Sequence, residues 1–356
     1  MKLAARTIHR YCDGEITGVS RPPRSSFGHG AAGVAYFLYR SSSITGDAAA
    51  LDRAAGWAAV AERSIHHPDA FTGPPPVFPD ARMAPPSSVL FGEAGVWWVT
   101  AMVHDALGDA TGADRAVSRF CAVATTCPDD RLDVAAGAAG LLLAAAALVD
   151  LAPPSILAVG DDLARRLEQA IERPPAIPWL GAAHGWAGIA HALLQWCRAT
   201  GTKPGPVVTT LLEALPEARL AAGVWPRDHE TREVWPGWCH GSAGWAHLWV
   251  LAADVLGNDG LLALAERPAV HAILGRGAGA SLCCGLGGQA YAAVALYRAT
   301  GEHTWLSHAR RLADEAAATP AGPEFPAHSL WGGDLGVALL TLELDEPERA
   351  AMPLYG

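Results

Sequence analysis

The segment Gly137-Ala138-Ala139-Gly140-Leu141-Leu142-Leu143-Ala144-Ala145-Ala146-Ala147-Leu148 contains the pattern that decides the fold of this chain. A Gly-x-x-Gly turn opens a helix that is apolar on nearly every side, and such a helix must be covered all round by other elements. The same turn recurs along the 356 residues, at 30–33, 92–95, 137–140, 185–188, 241–244, 285–288 and 333–336. The chain is therefore built from seven repeats.

The spacing of the turns leaves room for two helices in each repeat. Successive turns start 44 to 62 residues apart, which accommodates a helical hairpin and its connections at about 1.5 Å rise per residue. The second helix is amphipathic, as in residues 48–64 and 308–317, and so belongs to an outer, solvated layer. Alternating β-branched runs are scarce, and the sequence predicts an all-α protein.

We predict an α/α toroid, in which seven apolar inner helices lie inside a ring of seven amphipathic outer helices. An open solenoid is the alternative, because helical-hairpin repeats also stack in a line. The terminal repeats keep the glycine turn and show no capping change, which favours the closed ring. We expect one domain over residues 1–356, with residues 1–24 as a lead-in and the repeats between about 25 and 350.

Composition argues against several classes of function. The chain has 51% hydrophobic and 17% charged residues and a formal net charge of −10. A chain with this charge and no basic face is poorly suited to nucleic acid or anionic lipid, and the longest apolar stretch, 134–149, is too short to span a bilayer. Seven cysteines, an odd number, do not make the disulfide framework of a small secreted protein. We expect a cytoplasmic protein without nucleic-acid or membrane partners.

Three cysteines lie at two of the turns. Trp238-Cys239-His240-Gly241 is followed 44 positions later by Cys283-Cys284-Gly285. Three protein ligands to Zn²⁺ leave one tetrahedral position for water or substrate, as in catalytic sites. Ordinary buried cysteines are the alternative interpretation, since free Cys is often buried and the short CxxC pairs of many zinc sites are absent.

These two cysteine turns, with Ala183-His184-Gly185-Trp186-Ala187-Gly188 and the seven glycine turns, resemble the lanthionine synthetase C-like (LanC) family over nearly the whole chain. The resemblance implies an α/α toroid with one zinc ion, which adds cysteine thiols of a dehydrated precursor peptide to dehydroalanine or dehydrobutyrine. Lanthionine and methyllanthionine thioethers result. A separate enzyme would have to dehydrate the Ser and Thr residues, because this chain has no kinase or lyase motif.

The resemblance also implies a metal-ligand set. Cys239 and Cys283 match the family's first and second zinc ligands, and Cys284 stands where many members have a histidine. The resulting all-cysteine site is similar to that of some cyclase domains in bifunctional synthetases.

Proton-transfer residues follow from the same resemblance. His184 matches the catalytic histidine, Asp133 matches the acidic residue near it, and His240 follows the first metal ligand, where other members have His or Tyr. Helix capping by His184 and a favourable helix-dipole position for Asp133 are the alternative interpretations. The family arginine before the first ligand is not clearly present, and Arg232 is the nearest candidate. His29 occupies the first turn as His184 occupies the fourth, and we predict a structural role for it.

Two other functions remain as alternatives. Addition of glutathione to dehydrated proteins, which the resemblance to eukaryotic family members implies, would use the same residues and a different thiol. A non-catalytic peptide-binding scaffold of a synthetase complex would keep the toroid and the metal. The proton-transfer candidates beside the cysteines argue against a scaffold, because binding alone does not need them.

Overall fold

The computed structural model describes residues 2–13, 15–73, 84–151, 153–174, 177–320, 322 and 325–356. Within these residues the chain forms fourteen α-helices and no β-strand. The helices are α1 (Lys2–Cys12), α2 (Ala31–Thr45), α3 (Ala48–Arg63), α4 (Glu93–Ala106), α5 (Ala110–Ala124), α6 (Ala138–Ala146), α7 (Pro153–Glu172), α8 (Trp186–Thr200), α9 (Pro206–Ala214), α10 (Ser242–Leu256), α11 (Leu262–Leu274), α12 (Leu286–Thr300), α13 (His303–Ala318) and α14 (Asp334–Glu343). Across the described ranges, none of the helices is both long and apolar enough to cross a membrane.

The even-numbered helices form a closed inner ring. The first glycine of a Gly-x-x-Gly turn is the N-cap of each of these helices, and the helices that follow are buried along most of their length. Each inner helix contacts the next one in the chain, and α14 contacts α2. The prediction of an α/α toroid is confirmed, and the open solenoid is excluded by the contact between the last inner helix and the first.

The outer ring has one member that the repeat pattern did not indicate. Helices α3, α5, α7, α9, α11 and α13 each pack on the inner helix that precedes them, whereas the outer partner of α14 is α1. The chain after Glu343 contains Pro347 and Pro353 and forms no further helix. An N-terminal helix therefore completes the seventh pair, within the segment that the sequence analysis treated as a lead-in.

A closed circle of hydrogen bonds joins the seven turns at the N-terminal ends of the inner helices. Each turn donates to a carbonyl oxygen of the next, and the last turn donates to the first. The bonds run from Gly28 N–H to Leu90 O, Ser88 Oγ–H to Ala135 O, Ala135 N–H to Ala183 O, Ala183 N–H to Cys239 O, Cys239 N–H to Cys283 O, Cys283 N–H to Trp331 O and Trp331 N–H to Gly28 O. The residues just before each glycine are thereby fixed around one axis.

The second glycine of a turn is needed for close approach of the helix to its own loop. At Gly188, an added Cβ would overlap the carbonyl oxygen of Ala182. Backbone cannot move aside as a flexible side chain can, so only glycine allows α8 to begin this close to the turn before it.

The C-terminal segment, residues 349–356, crosses the opposite face of the ring. Arg298 Nη1 donates to Ala350 O at 2.9 Å, and His191 Nε2 lies 2.8 Å from Tyr355 O. The Tyr355 ring stacks on His191 at 3.7 Å and meets Trp238 edge-on at 5.2 Å. This segment closes the ring on the side away from the turns.

Candidate metal centre and active site

Five of the six predicted site residues occupy equivalent positions in the repeats. They are His184 before Gly185, Cys239 and His240 before Gly241, and Cys283 and Cys284 before Gly285. Because the hydrogen-bonded turns meet around the axis, three separate repeats bring these side chains to one place. The inner helices that begin there also direct their positive ends towards the site, which favours thiolates and other anions.

The three candidate metal ligands form one cluster. The Sγ atom of Cys284 lies 3.2 Å from that of Cys239 and 3.5 Å from that of Cys283, and all three lie within 4.8 Å of one another. Sulfur ligands about 2.3 Å from a tetrahedral zinc ion are about 3.8 Å apart, so the donor set fits such an ion. Cys239 is buried, while Cys283 and Cys284 are partly exposed.

Hydrogen bonds among these thiols shift their pKa values in opposite directions. Hydrogen bonds with Cys239 and Cys283 hold the pKa of the Cys284 thiol well below its ordinary value, and the nearby His240 and His184 lower it further. For Cys283, hydrogen bonds with Cys239 and Cys284, together with burial, raise the pKa of the thiol. A bond from Cys283 lowers the pKa of Cys239, but the bond to Cys284 and burial outweigh it and raise that pKa overall. A thiolate in such a cluster is the ligand that Zn²⁺ prefers.

His184 and Asp133 form a second part of the site. The Nδ1 atom of His184 lies 2.7 Å from Oδ2 of Asp133, and their side chains are 20% and 24% exposed. The other carboxylate oxygen of Asp133 accepts the backbone N–H of Ala136 at 2.8 Å. The carboxylate is therefore fixed by its own turn while it orients the imidazole of the next repeat. A histidine held this way can give and take a proton near neutral pH.

His240 lies between His184 and two tryptophans. Its ring stacks on that of His184, with centroids 5.2 Å apart and planes 25° apart. On its other sides are Trp179 at 5.1 Å and Trp235 at 5.9 Å. The structure thus brings all six predicted residues together.

Sequence reasoning missed Arg227. Its guanidinium lies over the rings of Trp235 at 4.9 Å and Trp179 at 5.2 Å, and it pairs with Asp228 at 2.9 Å. Arg232, the candidate from sequence, lies instead on the exposed part of this loop in a left-handed conformation, with φ 57°. Arg227 precedes Cys239 by 12 positions, and no motif marks it, because the loop folds back to reach the site.

A small cavity of about 30 Å³ lies on the ring axis beside the thiol cluster. Its lining consists of His29, Leu90, Phe91, Ala135, Ala183, His184, Trp238, Cys283 and Trp331. His29 is 1% exposed and its ring stacks on Phe91 at 5.7 Å. Burial and the neighbouring His328 lower the pKa of His29 to about 3, so this histidine is neutral at physiological pH and forms part of the wall.

Comparison with known proteins gives three findings. The sequence profile of the lanthionine synthetase C-like protein family matches residues 22–355, which confirms the resemblance seen in the motifs. The glutathione S-transferase LANCL1 of Danio rerio is 28% identical over 219 residues, which are 56% of this chain and 53% of that protein. The match thus spans about half the length of this relative. Nisin cyclase has a similar fold, with a TM-score of 0.71, 14% identity, and coverage of 97% of this chain and 92% of its own.

Proposed function

Because this chain belongs to the lanthionine synthetase C-like protein family, we propose that it is a zinc-dependent lanthipeptide cyclase that forms thioether rings within a dehydrated peptide. One observation carries the proposal. A cluster of three thiols suited to zinc lies beside a histidine that a carboxylate holds in place. This is the pairing that the addition of a thiol to an electron-poor alkene requires, since the reaction needs a thiolate and then a proton.

Cys239, Cys283 and Cys284 are the residues that would hold the metal. When bound there, zinc would act as a Lewis acid that keeps a further, substrate thiol deprotonated at neutral pH. The partial exposure of Cys283 and Cys284 leaves a side from which a peptide can approach.

His184 is the proposed acid. In the addition, the substrate sulfur forms a bond to the β carbon of dehydroalanine or dehydrobutyrine, and the π electron pair moves onto the α carbon and its carbonyl. The α carbon then takes one proton, which replaces the proton lost by the thiol, so no oxidant or reductant is needed. Asp133, 2.7 Å from Nδ1, orients the ring and favours its charged form, leaving Nε2 to deliver the proton.

His240 is proposed to support this step. Its ring is parallel to that of His184 within 25°, and Trp179 restricts it on another side. From this position it can donate to the carbonyl oxygen as negative charge develops, or exchange a proton with solvent.

The partners implied by this reaction are a dehydrated precursor peptide and a separate enzyme or synthetase component that dehydrates it. All seven cysteines are free, and free thiols persist in a reducing compartment, which supports a cytoplasmic location.

The test combines metal content with a cyclisation assay. Wild type should contain about one zinc per chain, and Cys283→Ala and Cys284→Ala should lose it. Cys121→Ala is the control, because Cys121 is a free, partly exposed thiol outside the cluster. With a peptide that carries one cysteine and one dehydroalanine, wild type should consume the free thiol without a change in peptide mass. Zinc without any reaction would favour a scaffold, and no zinc after metal supplementation would overturn the mechanism.

Glutathione is the second candidate thiol, and the name of the Danio rerio relative is the observation that favours it. A dehydrated peptide without cysteine separates the two reactions. If glutathione is the natural thiol, this peptide should gain the mass of glutathione. The rate of that addition should at least equal the rate of ring closure in the cysteine-containing peptide. A cyclase should close the ring faster, because the thiol and alkene are already tethered.

A further inference from the structure

The cavity on the ring axis joins the two halves of the proposed site. Cys283, from the thiol cluster, and His184, the proposed acid, both line it. Every one of the seven turns contributes at least one lining residue, so the cavity exists only because the ring closes. Any group that enters it lies between the thiol cluster and the proposed acid.

The remaining wall selects for a small apolar group. Leu90, Ala135, Ala183 and Trp331 are at most 4% exposed and present carbon to the cavity. Its volume, about 30 Å³, compares with roughly 10–15 Å³ for a single water-sized probe. Most of the lining is carbon, and a methyl group there would replace empty space with contacts.

The two reacting carbons of the substrate must lie near Cys283 and His184, which both line the cavity. The β carbon has to meet the sulfur nucleophile beside the thiol cluster, and the α carbon has to meet the proton from His184. Dehydrobutyrine carries one methyl group on its β carbon, and dehydroalanine carries none. That methyl is the only substituent of the alkene that differs between the two substrates.

We propose that this axial cavity receives the β-methyl group of dehydrobutyrine and so determines how well the site forms methyllanthionine relative to lanthionine. The proposal rests on the proposed cyclase function. The step is the same addition, with a carbon–sulfur bond formed at the methyl-bearing carbon and one proton added to the α carbon. Ala135 is the wall position at which the size of the cavity is most simply changed, because its side chain is small and, unlike Ala183, it does not adjoin the proposed acid.

The test uses two peptides that differ only in dehydroalanine or dehydrobutyrine at the ring-forming position. The measured quantity is the ratio of kcat/KM for dehydrobutyrine to that for dehydroalanine. Ala135→Val should lower this ratio by about tenfold or more, since one methyl group in an apolar pocket changes kcat/KM by about 10- to 200-fold. Ala136→Val is the control, because Ala136 is the adjacent buried alanine and does not line the cavity. It should leave the ratio unchanged.

A second variant tests the opposite change. Phe91→Leu enlarges the cavity and should allow an alkene with a β-ethyl group to react, which wild type should exclude. If Ala135→Val abolishes both reactions, binding is measured with unreactive peptides that carry serine for cysteine and either aminobutyrate or alanine for the dehydrated residue. Valine should then remove the preference for aminobutyrate.

The outcomes separate this inference from the proposed function. A folded, zinc-loaded Ala135→Val enzyme with an unchanged ratio and unchanged binding preference would overturn the role of the cavity and leave the cyclase intact. A wild type that cyclises neither peptide would overturn both.

Discussion

Asp133 is the residue whose role in the site can be tested with the least disturbance. Asn in its place keeps an oxygen for the Ala136 N–H, 2.8 Å away, but removes the charge beside Nδ1 of His184. We expect Asp133→Asn to lower kcat by about 10²- to 10³-fold, within the range of general acid catalysis. The zinc content should stay at the wild-type level.

The pH profile distinguishes this positioning role from a structural one. Loss of the carboxylate disfavours the charged imidazole, so the alkaline limb of the kcat profile, where the acid loses its proton, should move to lower pH. Asp130→Asn, an exposed carboxylate three positions away, should change neither kcat nor the profile. An Asp133→Asn enzyme with wild-type kcat would show that His184 needs no orienting partner.

Most of this candidate site could be predicted from the sequence, because its residues occupy the same position in each repeat, just before the first glycine of the turn. His184, the cysteines and His240 all precede a glycine that the repeat pattern already identifies. Asp133 lies four positions before Gly137, and only the family resemblance indicated it. Arg227 could not be predicted, since its place depends on a loop whose path is set by backbone bonds such as that from Leu180 N–H to Arg227 O.

At the scale of the helices, the glycine turns should be the least tolerant positions of the fold. In Gly188→Ala the new Cβ would overlap the carbonyl oxygen of Ala182 and crowd Val134. The start of α8 would have to shift, and overpacking of this kind costs about 1–3 kcal/mol. We expect a loss of that size in the free energy of unfolding, measured by chemical denaturation.

Gly205→Ala is the matched control for this turn. Gly188 lies in the first turn of α8 and Gly205 is the N-cap of α9, but at Gly205 an added Cβ would meet only the end of the Glu168 side chain, at 3.6 Å. Its cost should stay below about 1 kcal/mol. Equal losses in the two variants would mean that loss of backbone freedom, rather than close approach, explains the glycines.

The repeat pattern predicted the inner helices well and the outer ring less completely. A glycine turn marks each inner helix, so its start could be placed within the sequence. Helix α1 has no such turn and packs on α14 only when the two ends of the chain meet. The axial cavity was also beyond prediction, because its wall combines residues from all seven turns.

A buried ion pair near the C-terminal segment joins the first and last helices of the inner ring. Arg40 Nη2 donates to Glu343 Oε1 at 2.5 Å, and the Glu343 side chain is fully buried. The other carboxylate oxygen accepts Tyr291 Oη–H at 2.8 Å and the N–H of Ala351 at 3.2 Å. These bonds connect the first inner helix, the last two inner helices and the C-terminal segment on the side of the ring away from the turns.

Breaking this pair from one side should be costly. Glu343→Gln leaves Arg40 largely buried without its counter-charge, and such changes cost about 3–5 kcal/mol. Arg40→Met with Glu343→Gln should lose less than the sum of the single variants, as measured by a double-mutant cycle in urea. The exposed pair Arg311–Glu315 serves as the control, with an expected coupling below about 1 kcal/mol. Additive losses at Arg40 and Glu343 would show that the two charges act separately.

The buried histidines make stability of the whole ring depend on pH. Burial, aided by Arg298, lowers the pKa of His247 from 6.5 to about 3, so the unfolded chain binds a proton in this range that the folded chain does not. Stability is therefore full above about pH 6.5 and falls as the pH is lowered towards 3. Between pH 6.5 and 5, this one group should account for a loss of about 1.5 kcal/mol.

Replacing the imidazole by a ring that cannot titrate should remove that part of the pH dependence. His247→Phe keeps an aromatic ring against Tyr355, which His247 meets at 5.6 Å. Its free energy of unfolding should fall less steeply than that of wild type between pH 6.5 and 5, while the exposed His66→Gln should follow wild type. Some dependence should persist, because burial also lowers the pKa of His191 and His29. Identical slopes in wild type and His247→Phe would mean that His247 titrates in the folded ring as it does in the unfolded chain.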